Sequence, residues 1–257
     1  MNVGADSTNA VPAAVSLEAI GRLLELGRSI GHVVAEPDWP QWRTASAGLL
    51  MRVLTLGETI VHVSELRRVA DLSILVRCLY DHAVMLAWIS APRDDSRFTV
   101  WNRESLRIVR AWGNEMKAME AGDITPEGRE WLEEQLSGPG MPKTRELARQ
   151  ADRDWNGRLG LSGLNTLTAS YTTVFRAGSF FAHPTAAGLY ENRRPAGDHV
   201  VLMIEPEGDI SPTIGCVFTF LAVALGVASH TIGRPDLYAI KRIVTECADA
   251  AAAARRT

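Results

Sequence analysis

Lysine is nearly missing from this chain. Only Lys117, Lys143 and Lys241 occur among 27 cationic residues, and the rest are arginine. With the abundance of alanine, this reads as the coding bias of a GC-rich genome rather than as chemistry. An excess of basic charge is missing too. The net charge is −3, so no global field draws the chain to nucleic acid or to an anionic membrane, and only a local basic groove would do so. Cysteine is sparse: Cys78, Cys216 and Cys247 stand far apart, with no Cys-x-x-Cys. That excludes a disulfide scaffold and a zinc ribbon, and predicts buried thiols in a reducing cytosol.

The usual catalytic signatures are also absent. No His-Glu-x-x-His occurs. Glu58-x3-His62 and His62-x2-Glu65 have no second pair on a matching helix, so neither a zinc nor a di-metal carboxylate site is expected, and no cofactor is implied. Ser179 lacks the Gly-x-Ser-x-Gly elbow of a hydrolase. Gly157, Gly160 and Gly163 do not make a phosphate loop, because no strand precedes them. The chain opens on no secretory signal; residues 1–15 are small, polar and proline-containing, and are expected to be disordered. A cytoplasmic protein is expected. Between Asp209 and Arg234 there is no charged side chain, yet Pro212, Gly215, Thr219, Gly226, Ser229 and His230 dilute the apolar run. A central core helix is expected there, and no membrane span.

What is present is helical periodicity. Apolar spacing predicts helices over Leu17–Glu36 with Ser16 as N-cap, Trp42 to about Arg68, Asp71–Ala91, and Asp95 or Ser96 to about Glu120. Short helices come next near 126–137 and 143–154, then Asn165–Ala182, 212–232 and Pro235–Ala254. Gly188–Arg194 and His199–Glu205 flank Pro195-Ala-Gly197-Asp, a hairpin signal. The expected fold is all-α: a multi-helix bundle with one small β-hairpin near residues 188–205. With no repeat and no composition shift, residues 16–255 form one domain, in which 121–160 is a lid-like or connecting insert.

Polar residues interrupt two of these helices. On the segment ending at His183-Pro184, Arg176 and His183 lie seven apart and nearly eclipse at about 100° per residue, with Ser179 between them on the same side. On the 71–91 helix, Arg77 and Asp81 are i,i+4 neighbours among apolar residues, and Val84 and Trp88 continue their face. A charged pair there should be buried with further hydrogen bonds, which Tyr171, Ser179 and His183 would supply. Arg103, Arg107 and Arg110 make a stripe on the next helix, read either as a solvated face or as phosphate contacts. His32, His62, His199 and His230 read as surface or packing residues. The seven tryptophans read as core or interface.

Leu75-Val-Arg77-Cys-Leu-Tyr-Asp81 and Tyr171…Arg176-Ala-Gly-Ser179…His183-Pro184 resemble the two motifs of a bacterial all-helical family of unknown function. The resemblance spans roughly residues 45–235, with Asp81 standing where that family usually has Glu. More distantly, Arg176-x6-His183 is similar to the Arg-x4–6-His motif of the HEPN superfamily, many of whose members are RNases of toxin–antitoxin and antiphage systems. Ala177 replaces the polar residue that often comes after that arginine. Arg77-x4-His82 has a similar spacing, but five residues set its side chains about 140° apart on a straight helix. The resemblance implies a metal-independent endoribonuclease of toxin or defence type, often built at a homodimer interface. His183 would be the general acid or base, Arg176 would stabilise phosphate charge, and Ser179 or Tyr171 would orient them. Two other readings stand beside it. In one, Arg77, Asp81, Tyr171, Ser179 and His183 form a buried network in a structural or interaction module. In the other, the helices bind a small ligand. Exposure separates them: a catalytic His183 lines a cleft, whereas a structural one is sealed by Phe175, Phe180 and Trp88.

Overall fold

The protein is described by a computed structural model that covers residues 13–30, 38–66, 68–118, 125–161, 164, 166–176, 193–196, 199–202, 209–254 and 256, without the side chains of 115–118, 176 and the two strands. The elements are α1 (Ala13–Arg28), α2 (Gln41–Ser64), α3 (Val69–Ser90), α4 (Ser96–Ala118), α5 (Pro126–Gln135), α6 (Thr144–Leu159), α7 (Leu167–Ser170), β1 (Arg193–Ala196), β2 (His199–Leu202), α8 (Ser211–Thr231) and α9 (Leu237–Ala254). The fold is all-α. The strands form a two-stranded antiparallel ladder, with Arg193 opposite Leu202 and Ala196 opposite His199. Pro195 and Ala196, expected in a turn, are paired strand residues.

The uncharged helix α8 is the centre of the bundle. Ile214, Val217, Phe220, Leu221, Leu225 and Val227 are fully buried on it, and α1, α2, α3, α6 and α9 all pack around it. Close approach depends on glycine at one crossing: a Cβ on Gly57 would stand 3.0 Å from Leu221 and 3.1 Å from Leu24, so α1, α2 and α8 meet where that side chain is absent. Three helices, α2, α3 and α8, are long and apolar enough to cross a membrane. In this fold α8 is enclosed by protein, and α2 turns Gln41, Thr44, Arg52, Thr55, Glu58, Thr59 and His62 outward.

Several expectations are corrected. Ala13–Val15 belong to α1, and Ser16 is a buried residue within it rather than its cap. A small hydroxyl suits tight packing as well as capping, and the local pattern does not separate the two. Asp95 does not use its carboxylate on α4: its Oδ1 accepts from the backbone N–H of Trp42 at 2.8 Å and so fastens the start of α2 from a distant loop. The second half of the 121–160 segment is no lid, since Leu147, Ala148, Ala151, Trp155 and Leu159 of α6 are core. Cys78 is exposed and Cys216 half-buried; only Cys247 is buried. Trp112 and Trp131 are 66% and 51% exposed, so core packing does not account for them.

The end of α3 shows why α6 belongs to the core. A helix leaves its last carbonyls without intrahelical donors. Trp155 Nε1 donates to Ala87 O at 2.7 Å, Arg97 Nη1 to Trp88 O at 2.8 Å, and Arg158 Nη1 to Ala91 O at 3.3 Å. Arg97 also lies 2.8 Å from Asp154 Oδ2, and Trp88 Nε1 donates to Gln150 Oε1 at 2.8 Å. On the α2–α3 side, Ser46 and Ser90 hydroxyls sit 2.7 Å apart, each also beside a carbonyl of its own helix. Two protons serve these three contacts, so one is always without its hydrogen.

Candidate functional site

A polar cluster lies where α7 and the residues that follow it, 171–176, meet the middle of α3. The start of α7 is held from three sides. Asp152 of α6 accepts from the N–H groups of Leu167 and Thr168 at 2.9 and 2.8 Å. Thr166, the N-cap, accepts from Ala169 N–H at 3.1 Å. Tyr80 of α3, fully buried, donates its hydroxyl to Leu167 O at 2.9 Å. Burial pushes the Tyr80 phenol well above its usual range, with Asp152 and Asp81 adding to the shift, so it stays a neutral donor.

After Ser170 the chain does not continue as an α-helix. Tyr171–Arg176 is a π-helical turn, in which hydrogen bonds skip one residue more than in an α-helix. The turn stacks Tyr171 on Phe175, with ring centroids 5.0 Å apart and planes at 15°. Tyr80 lies 6.4 Å from Phe175 on one side and edge-on to Phe220 at 5.2 Å on the other. The guanidinium of Arg77 sits over the Phe175 ring at 4.7 Å. Such a cation–ring contact offsets part of the desolvation of a half-buried charge.

This geometry corrects the expected Arg77–Asp81 pair. Among the described residues no ion pair joins them; Arg77 lies instead over the Phe175 ring of the π-helical turn. Asp81 is half-buried, and desolvation pushes its carboxyl up to about 6, against the opposing pull of Arg77 and His82. His82 contacts its own helix through Nδ1, 2.7 Å from Cys78 O. Cys78, Thr172 and Thr173 are exposed, and Arg77, Tyr171 and Phe175 half-buried, so the cluster borders solvent. Trp88 closes a different part of α3, beside Gln150 and Arg97.

Of the expected catalytic residues, Ser179, His183 and the sealing Phe180 lie outside the described residues, and for Arg176 the backbone alone is described. Arg77, Asp81 and Tyr171 do come together. Arg103, Arg107 and Arg110 do not join them. Arg103 donates to Gln135 O at 3.4 Å and Pro139 O at 3.1 Å, Arg107 to Gly138 O at 3.3 Å and Glu104 at 2.7 Å, and Arg110 pairs with Glu133 at 2.8 Å. These donors clasp the α5–α6 connection. Among the described residues no three His, Cys, Asp or Glu side chains converge as metal ligands. His62 is exposed, and His230 rests 5.8 Å from Trp155 with its Nε2 buried and unpaired; His32 and the side chain of His199 lie outside the described residues.

Beside the start of α7 a cavity of about 50 Å³ is floored by Ala87, Trp155, Leu159 and Val223, with Asp152 and Thr166 at its edge. It has room for roughly four waters at about 10–15 Å³ each, far less than a nucleotide. Sequence reasoning missed Tyr80, Asp152 and Thr166 as parts of this site, and gave Phe175 only a sealing role. Thr166 alone carried a local signal, a threonine just before an apolar helical run.

Residues 43–198 match a family of unknown function, DUF5677. The chain belongs to the DUF5677 family. The matched span runs from α2 to β1 and contains both sides of the cluster, Arg77–Asp81 and Tyr171–Arg176, whereas α1, α8 and α9 lie outside it. Neither a curated protein nor a solved structure matches the chain. For a DUF5677 protein, then, the chemistry must be argued from the α3–α7 cluster itself.

Proposed function

We propose that the protein is a HEPN-like, metal-independent endoribonuclease of toxin or defence type, working in the cytoplasm as a homodimer. Arg176 and His183 are its catalytic pair, with Ser179 orienting them and Arg77, Asp81 and Tyr171 as the supporting network. A ribose 2′-OH attacks the adjacent phosphorus and the bond to the 5′ oxygen breaks. A proton leaves the 2′-OH to the His183 imidazole and one returns to the departing oxygen, while Arg176 balances the charge on phosphate. The observation that carries this reading is convergence: Phe175, the neighbour of Arg176, lies under Arg77. Two polar segments about a hundred residues apart therefore meet at one solvent-bordering seam. The π-helical turn supports it, since such turns are frequent at functional sites. The homodimer reading draws on α4, which exposes Ile108, Val109 and Trp112 on its outer half.

The experiment is cleavage of single-stranded RNA in EDTA by wild type, Arg176→Ala and His183→Ala, with thermal unfolding recorded for each. Loss of cleavage in both variants at near-wild-type midpoints is expected. No cleavage by wild type, with both variants strongly destabilised, would sink the nuclease reading. The second reading, a non-catalytic structural or interaction module, is favoured by the way Arg77, Phe175, Tyr171 and Tyr80 stack on one another. That second outcome is its signature.

A further inference from the structure

Arg77, like Arg43 over Trp39, lies on an aromatic ring rather than against a carboxylate. Arg22, Arg28, Arg97, Arg107, Arg110 and Arg149 each lie against a carboxylate. Arg77 is half-buried, and its one contact among the described residues is the Phe175 ring. Asp81, one turn along α3, is not within ion-pair distance, although its field is felt. A guanidinium over a ring gives its hydrogen-bond donors no acceptor there, because its five N–H groups need oxygen or nitrogen lone pairs. Among the described residues those donors meet no acceptor, and none of them is sealed from solvent, so an anion can reach them in place of water. Tyr171, stacked on the same ring, brings a phenol hydroxyl that likewise has no partner among the described residues.

We infer that Arg77, held on Phe175 beside Tyr171, is an anion subsite that takes a phosphate oxyanion, as in a phosphodiester of RNA or free phosphate. A planar fork matches two phosphate oxygens at once, which a lysine ammonium does not. Phe175 backs the guanidinium and limits where the fork can sit. The inference rests on reading the α3–α7 seam as a functional site, and it gives Arg77 direct contact with the ligand rather than a role in helix packing.

The test is ligand protection of the intact chain against thermal unfolding. The probes are inorganic phosphate and a short single-stranded oligoribonucleotide, with chloride at matched ionic strength as control. Wild type should gain a dose-dependent rise in midpoint over chloride. Arg77→Gln should weaken apparent binding at least tenfold, and Phe175→Leu and Arg77→Lys several-fold, because one loses the platform and the other the fork. Protection by phosphate equal to that by the oligonucleotide identifies free phosphate as the ligand; protection mainly by the oligonucleotide identifies the diester. No protection of wild type by either probe overturns the inference. So does unchanged protection in folded Arg77→Gln or, if that variant does not fold, in both Arg77→Lys and Phe175→Leu. Cleavage in EDTA is read separately. Binding without cleavage removes the nuclease and keeps the subsite, whereas cleavage by Arg77→Gln with unchanged KM removes the subsite and keeps the nuclease.

Discussion

Helix α3 carries two polar seams of opposite character. Toward its end, against α6, four polar contacts tie the helices together: Trp155 to Ala87, Trp88 to Gln150, and Arg97 to Asp154 and Trp88. At its middle, against α7, Arg77 and Asp81 are half-buried and not joined. The same helix thus supplies one seam that holds the fold together and one in which, among the described residues, Arg77 meets no acceptor and Asp81 carries a raised pKa. Folding alone would favour completing both. An incomplete seam is where a fold gives up stability for something else.

The sharpest way to break the contrast is at the completed seam. Trp155→Ala removes a fully packed indole and the donor to Ala87 O, and should cost about 3–5 kcal/mol in urea unfolding. Asp152→Ala comes next. It strips two charge-assisted bonds from the start of α7, and should cost about 1.5–3 kcal/mol. Hydrogen exchange should rise in Leu167 and Thr168 before it rises in α3. Equal protection loss across both helices would show that α7 is not held separately.

The incomplete seam should respond in the opposite direction. Asp81 has a folded pKa of about 6 against an ordinary 3.8 for aspartate. The folded state therefore binds its proton more tightly, and the carboxylate lowers stability fully above pH 7, with the cost fading as pH falls through 6 toward 4. Arg77, His82 and Tyr80 on α3 and Tyr171 on α7 share this neighbourhood, and all are kept in an Asp81→Asn variant. After discounting for its partial exposure, that variant should be more stable by about 1–2 kcal/mol at pH 7.5, and equal to wild type near pH 4. A loss of stability at pH 7.5 would mean that Asp81 is paired after all. The smallest effect is expected at Trp112→Glu, within about 0.5 kcal/mol of wild type for a side chain so exposed. Light scattering would then report whether the outer face of α4 joins two copies, by a halving of the mass.

The bundle was legible in the sequence because burial writes a long-range average into every helix. A run from Ile210 to Gly233 without charge has one comfortable place, the centre, and α8 occupies it. The choices between local and distant partners were not legible. Arg77 and Asp81 have the spacing of an ion pair, but an aromatic ring almost a hundred residues away competes for the arginine and wins. Asp95 has the position of a cap for α4, yet its carboxylate serves α2. The Arg103–Arg107–Arg110 stripe looks solvated until the α5–α6 connection folds over it. The π-helical turn at Tyr171–Arg176 has no periodicity of its own over six residues, so the sequence reads it as plain α-helix. Ser179 and His183 lie beyond it, outside the described residues.

The position of α8 also sets a schedule. The bundle's central helix is made after four of the helices that pack on it, α1, α2, α3 and α6, and about two hundred residues separate the end of α1 from the end of α8. At about 5–20 residues per second, a nascent chain spends roughly ten to forty seconds with the sides that α8 covers open. Its yield in a cell should track the supply of chaperones more closely than the stability of the finished bundle.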